Sequence, residues 1–206
     1  MLKIWGRANS TNVKKAVWCA GELDLPFERI EAGGAFGVVN DAPYRAMNPN
    51  GLVPCLEDDG FILWESNAIV RYLSAKYGVG TLWHEDPAVR AVGDKWMDWA
   101  TSAIATPFRD LFWNKVRLAP DQRDVAAMEK GLETCTALFK RVDAELSRMP
   151  YLSGETFAMG DIPLGCFAYA WFEMDIARPD LPHLRAWYDR IRVRPAFIAG
   201  VAIPLT

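Results

Sequence analysis

Between Asn48 and Leu73 the chain reads NPNGLVPCLEDDGFILWESNAIVRYL, and residues in that stretch have types and spacing that could do chemistry. Glu65 and Ser66 stand just before an apolar run in which Ile69, Leu73 and Tyr77 recur at helical spacing. A helix starting there aims unpaired backbone N–H groups, and roughly half a positive charge, at whatever precedes it, which suits an anion. With the Ser66 hydroxyl as a donor and the Glu65 carboxylate as an acceptor, the pair fits a ligand end bearing both a carboxylate and an ammonium, as an amino acid does. The alternative is structural: serine is a favoured helix cap, and Ser66 would then only close the first turn. Pro54 has no N–H for a sheet ladder, so it marks the place where a strand begins and leaves the Val53 backbone to pair outside its own sheet. A second polar run, Ser10-Thr11-Asn12, offers two hydroxyls and an amide at the start of another helix, either as caps or as donors to a ligand.

The elements that must position these groups can be read from periodicity. Leu2–Trp5 and Phe27–Ile30 are short strands on either side of a helix whose apolar stripe is Val13, Ala16, Val17, Ala20 and Leu23, with Lys14 and Lys15 off that stripe. A strand, helix and strand joined this way make a right-handed parallel unit. Asp59-Gly60 closes a tight hairpin between Leu52–Leu56 and Phe61–Trp64. The glycine-rich run EAGGAFGVVN at 31–40 has neither the G-x-G-x-x-G order nor a P-loop lysine and reads as a flexible loop, with one helical turn expected near Tyr44–Met47. The β-α-β, β-β-α order gives a small α/β layer ending near Gly78. After a linker through His84 the pattern is helical: helices are expected from Pro87, from about 125 to 147, from Asp161 to Glu173 (apolar nearly all round, hence central), from Leu181 to Arg192, and briefly from Pro195. Pro107 predicts a kink or break in the first of these.

Composition narrows the function classes. With 206 residues and 51% hydrophobic content the chain can bury a real core as one large domain or two modest ones. It has no apolar run long enough to cross a membrane, and Met-Leu-Lys-Ile-Trp lacks the core of a signal peptide, so a cytoplasmic location is expected. A net charge of -3 without a long basic run argues against nucleic acid as the main partner. Cys19, Cys55, Cys135 and Cys166 form no C-x-x-C and no metal-ligand spacing; reduced, buried thiols and no metal are expected.

V-P, two short strands, then E-S-N-A-I at a helix start resembles the glutathione-binding half of the cytosolic glutathione transferases, and the similarity extends over nearly the whole chain. It is similar to the bacterial serine-type, theta-like branch. The resemblance implies a thioredoxin-like domain over 1–78 followed by an all-helical domain over 86–206. It implies that the Val53–Pro54 bond is cis, that the Val53 backbone pairs with the cysteinyl unit of glutathione, and that Glu65 and Ser66 hold its γ-glutamyl end. Leu52 lies in the same strip, where many relatives have Lys or Gln, and a hydrocarbon side chain leaves the glycyl carboxylate without an assigned partner.

The expected function is a glutathione transferase, with glutathione as co-substrate, adding its thiolate to a small hydrophobic electrophile in detoxification. A free alkyl thiol is only a few per cent ionised at neutral pH, so the site must favour the anion. In the serine-type branch the catalytic serine lies four residues before a basic residue, which points to Ser10 before Lys14; Asn12 is the second candidate. Such a hydroxyl acts by donating a hydrogen bond to the sulfur. The cysteine-type branches place Cys in this loop and none is here, so Cys19 and Cys55 read as packing residues. Trp96, Trp99, Phe108, Phe112 and Trp113 are the candidates for an apolar electrophile cleft between the two domains, with Phe108, Phe112 and Trp113 taken as its lining and core packing as the alternative for each; Arg109 either polarises a substrate or is simply solvated. The family's helical domain opens its central helix with a capping box. Here Asp161 is present but Ala158 replaces the Ser or Thr, so a stability cost is expected. A homodimer is implied as well. Two alternatives stand beside this reading: a glutathione-dependent disulfide or peroxide reductase, and a non-catalytic binding or scaffold protein of the same fold.

Overall fold

A computed structural model describes residues 1–206 in two compact units, Met1–Glu85 with Arg194–Ile203, and Asp86–Val193 with Pro204–Thr206. The first unit is built on a four-stranded sheet of order β2-β1-β3-β4, made of β1 (Leu2–Trp5), β2 (Phe27–Ile30), β3 (Cys55–Asp58) and β4 (Phe61–Trp64). β1 and β2 run parallel, as their helical crossover requires, and the other two pairings are antiparallel. On β1, Leu2 and Ile4 are buried and alternate with half-buried neighbours, which is the period of two that the pleat imposes. β3 starts directly after Pro54, so the proline sits where its missing N–H costs no ladder bond.

Helices α1 (Thr11–Glu22) and α3 (Ser66–Tyr77) pack against each other. α2 (Ala42–Met47) brings Tyr44 onto a cluster with Ala32 and Cys55, around which Trp5, Val38, Val39, Met47 and Val53 gather. The 31–40 segment is more ordered than its glycine content predicts. Gly34–Phe36 forms a single 3-10 turn in which Phe36 N–H donates to Gly33 O at 3.3 Å, Gly33 N–H donates to Gly37 O at 2.8 Å across it, and Val38 and Val39 are drawn into that cluster.

At the far end of the hairpin, buried Asp58 accepts from Tyr72 Oη, Lys76 Nζ and Tyr77 Oη, each within 2.8 Å. These bonds tie the C-terminal half of α3 to β3 and so fix the direction in which its N-terminus points. Residues 194–203 belong to this first unit, an assignment that the spans 1–78 and 86–206 did not contain. The short helix α9 (Pro195–Gly200) packs on α1, with Phe197 edge-on to Trp18 at 4.9 Å and Arg194 in a two-pronged ion pair with Glu22.

The second unit is all-helical: α4 (Pro87–Trp99), α5 (Ala105–Phe112), α6 (Val125–Leu146), α7 (Asp161–Glu173) and α8 (Pro182–Ile191). α7 is buried continuously from Asp161 to Trp171, as its uniform apolarity predicts. Of the kink or break expected at Pro107, the break does not occur. The chain stays helical from Pro87 to Arg117, and a π-helical stretch over Ala100–Ile104 lies just before the turn that holds the proline. Wider i→i+5 turns shift the bonding register, so the absent N–H of Pro107 is absorbed without stopping the helix.

Two glycines let backbones touch in this unit. A Cβ on Gly160 would lie 2.4 Å from the Cα of Gly93 on α4, so Gly160→Ala is expected to destabilise by about 1–3 kcal/mol. Denaturant unfolding measures this, and a midpoint equal to wild type would show that α7 can shift to admit a methyl group.

Candidate functional site

β4 ends at Trp64 and α3 begins at Ser66, which leaves one residue to turn the chain from strand to helix. Glu65 makes that turn in the left-handed region, at φ 73°, a conformation that costs a non-glycine residue about 1–3 kcal/mol. Its side chain is exposed and makes no capping bond, so the carboxylate faces outward from the helix start. Ser66 is only 6% exposed, and Lys15, arriving from α1 at 3% exposure, donates to Ser66 Oγ and to Asn67 Oδ1, both at 3.4 Å.

This arrangement has an electrostatic consequence. An ammonium has donors only, so the Ser66 oxygen accepts from Lys15 and its own proton is directed elsewhere. The positive end of α3 and a buried ammonium lie together, each unfavourable to the other and both favourable to an anion. Sequence periodicity placed Lys14 and Lys15 off the buried stripe; both are buried. The signal that could have flagged them is the lack of any Asp or Glu within four residues of Lys15 on either side, so no neighbour on its own helix could neutralise it.

The loop before β3 is held by its backbone. The Leu52 carbonyl accepts from Tyr44 Oη at 2.7 Å and from Asn48 Nδ2 at 2.8 Å, and Gly51 adopts φ 63° with the Arg45 guanidinium lying over it. The Val53–Pro54 bond is cis, as the resemblance implied. No hydrogen bond of the chain uses the N–H or C=O of Val53, so the residue presents a free donor and acceptor, the edge an extended peptide can join. The Leu52 side chain stands 65% exposed and carries no polar atom.

Ser10 occupies the N-cap position of α1, yet its side chain makes no capping bond; only its carbonyl enters the helix, accepting from Lys14 N–H at 3.0 Å. The residue is nearly buried and its hydroxyl has no partner in the chain, which leaves it available to a ligand. The capping alternative for Ser10 is therefore not what the geometry contains. Asn12, the second residue of the helix, is exposed.

The cysteines offer no competing nucleophile. All four are buried, and none is in a disulfide. Burial pushes the Cys19 thiol up to about 12, with a Ser74 hydrogen bond pulling weakly the other way, and pushes Cys135 to about 12 and Cys55 to about 11. No three His, Cys, Asp or Glu side chains gather where they could hold a metal ion.

In the helical unit Phe108 stacks on Phe112 and meets Phe167 edge-on at 5.1 Å, and at 2% and 6% exposure both belong to the interior of that unit. Trp113 is 43% exposed, with the Arg117 guanidinium 5.5 Å from its ring centroid. Trp96 and Trp99 meet edge-on at 5.2 Å. Arg109 is exposed and bonded to neighbouring Asp110. The structure thus brings Ser66 together with Lys15 and Phe108 together with Phe112, while Trp113 alone of the three aromatic candidates offers much surface.

Comparison with known proteins gives a consistent result over both units. Residues 6–82 match the model of the glutathione S-transferase N-terminal domain, and residues 94–195 that of the glutathione S-transferase C-terminal domain. Glutathione S-transferase GstB of Escherichia coli is 47% identical over 208 aligned positions that cover all of both chains. Glutathione S-transferase 3 of Zea mays is 31% identical, covering 99% of this chain and 95% of its own. Among solved structures, the theta class glutathione S-transferase of Xanthomonas axonopodis pv. citri with glutathione bound has a TM-score of 0.97 at 57% identity, covering 100% of this chain and 99% of that one.

Proposed function

The chain belongs to the glutathione S-transferase family and is a glutathione transferase with glutathione as its co-substrate, and from that premise we propose how its own residues divide the work. Glutathione lies across the end of the sheet, with its γ-glutamyl carboxylate at the N-terminus of α3, its cysteinyl backbone on Val53 and its sulfur at Ser10. The observation that carries this reading is the start of α3. A helix N-terminus, a buried ammonium and a serine whose oxygen is already committed to that ammonium converge on one point, and together they select an anion. Exposed Glu65 is available to the ligand's ammonium.

Ser10 donates its hydrogen bond to the sulfur, which favours the thiolate over the thiol. The thiolate then attacks a carbon of the electrophile and forms a C–S bond, while a leaving group departs with the electron pair of the bond that breaks. Asn12 is the second candidate for the sulfur, but its exposure favours Ser10. The acceptor is apolar; of the aromatic candidates in the helical unit, Trp113 is the one with exposed surface, and Phe108 and Phe112 are buried. A homodimer belongs to the same proposal, supported by exposed Phe61 and Trp64 on edge strand β4 and Tyr77 at the end of α3. So do a cytoplasmic location and a role in detoxification. No helix is long and apolar enough to cross a membrane.

The test is Ser66→Ala. Loss of one hydrogen bond to a charged group predicts glutathione binding weaker by about 10-fold, with the thiol pKa of the bound tripeptide unmoved. Calorimetry gives the first quantity, and thiolate absorbance against pH gives the second. Unchanged affinity would remove the γ-glutamyl end from this position.

A further inference from the structure

We propose that Arg7 is the cation of a second carboxylate subsite beside Val53, an inference that rests on the glutathione reading above. Arg7 follows Gly6 at the end of β1, and its N–H donates to Ala32 O at 3.0 Å, which fixes it against the 31–40 segment. A Cβ built on Gly33 would lie 3.2 Å from Arg7 Nη1 and equally 3.2 Å from Val53 Cγ1; one on Gly34 would lie 3.2 Å from Arg7 Cδ. The guanidinium therefore shares one small space with the residue whose free backbone receives the tripeptide. Gly33 and Gly34 adopt φ 78° and 60°, so any larger residue there would be strained as well as crowded against the cation.

The side chain is partly buried and makes no hydrogen bond or ion pair within the chain. Cations withdrawn from water normally have a partner, and Glu31, the acid in this segment, pairs through one oxygen with Arg29 at 2.6 Å, while its other oxygen is buried and bonds neither Arg7 nor any other residue. A planar fork of N–H donors left open at a ligand site matches a carboxylate, which it can grip with two parallel bonds. Leu52, the neighbouring residue on the other side of Val53 N–H, supplies no polar atom that could take the same role. Two carboxylates could reach this position. One is the glycyl carboxylate of glutathione, and the other is a carboxylate carried by the acceptor molecule. The chemistry at Arg7 is the same for both.

The experiment compares wild type, Arg7→Leu and Arg7→Lys on two matched pairs of compounds. Calorimetry measures binding of glutathione and of its glycyl ethyl ester, and steady-state kinetics measures kcat/KM for a chloronitrobenzoate and the corresponding chloronitrobenzamide. Arg7→Leu is expected to lose about 10-fold toward the charged member of one pair while changing by less than about 2-fold toward its neutral partner, with Arg7→Lys in between. A loss confined to the glutathione pair assigns the glycyl carboxylate; a loss confined to the aryl pair assigns the acceptor. Equal losses on charged and neutral members, or no loss on any, overturn the proposal. A wild-type protein that fails to bind glutathione would overturn the underlying reading and this one with it, and that outcome is visible before any variant is made.

Discussion

Ser10→Ala is expected to slow glutathione transfer about 100-fold at mildly acidic pH, with little change in the affinity for glutathione. Ser10 is 8% exposed and sits at the start of α1, and its hydroxyl spends nothing on the helix, since it makes no capping bond. A donor held this way is worth about 1.5–3 kcal/mol to a thiolate, and at about 1.36 kcal/mol per pKa unit its loss raises the bound thiol by about one to two units. The sign fixes the pH profile. A raised thiol pKa removes thiolate below it and leaves the fully ionised plateau intact, so the deficit should be largest in acid and should shrink as the pH climbs past the pKa of the variant complex. The division from Ser66→Ala is then direct, because that variant loses affinity and keeps its pKa. A pH-independent deficit in Ser10→Ala, or a full effect in Asn12→Ala with none in Ser10→Ala, would move the sulfur away from Ser10.

The second large effect concerns stability. Asp161 is fully buried at the start of α7, and its carboxylate accepts from Leu152 N–H and Trp187 Nε1–H at 2.8 Å, and from Ala158 N–H and Ser153 N–H at 3.2 and 3.3 Å. Burial pushes its pKa up while these four donors pull it down. Asp161→Ala would strand all four donors in the interior, and a loss of about 3–5 kcal/mol is expected, enough to lower the melting temperature by roughly 10 °C. Asp161→Asn keeps one acceptor oxygen but turns an NH2 toward N–H groups, so it should fall between the two. Thermal and urea unfolding measure both variants. A melting temperature within about 2 °C of wild type for Asp161→Ala would mean that water can replace the carboxylate.

That same residue illustrates what the sequence could and could not convey. The half-present capping box was legible, and the bond from Ala158 N–H to Asp161 is its surviving half. The other three come from Leu152 and Ser153, nine and eight residues back in the preceding loop, and from Trp187 on α8, beyond the three-residue spacing of a capping box. The sheet and its helices were legible because burial imposes periods of two and about 3.6 on the residues that line them. The linker was legible because proline and glycine punctuate it. Lys15 was not, because an amphipathic pattern assigns lysine to solvent and the compensating contacts come from a helix fifty residues later. Arg7 was passed over for a related reason: only the fold brings it to the two glycines and Val53. At Pro107 the sequence allowed a kink or a break; the helix does not break, and the π-helical stretch that precedes the proline leaves no mark in composition.

The return of α9 to α1 sets an order of events during synthesis. Trp18 and Glu22 receive Phe197 and Arg194 only after residues 86–193 have been translated, so the half that carries Ser10 and Ser66 must wait, with α1 partly uncovered, for residues 194–203. A half encoded first is thereby finished last: α1, which follows Ser10 and carries Lys15, gains this packing partner only from residues 194–203.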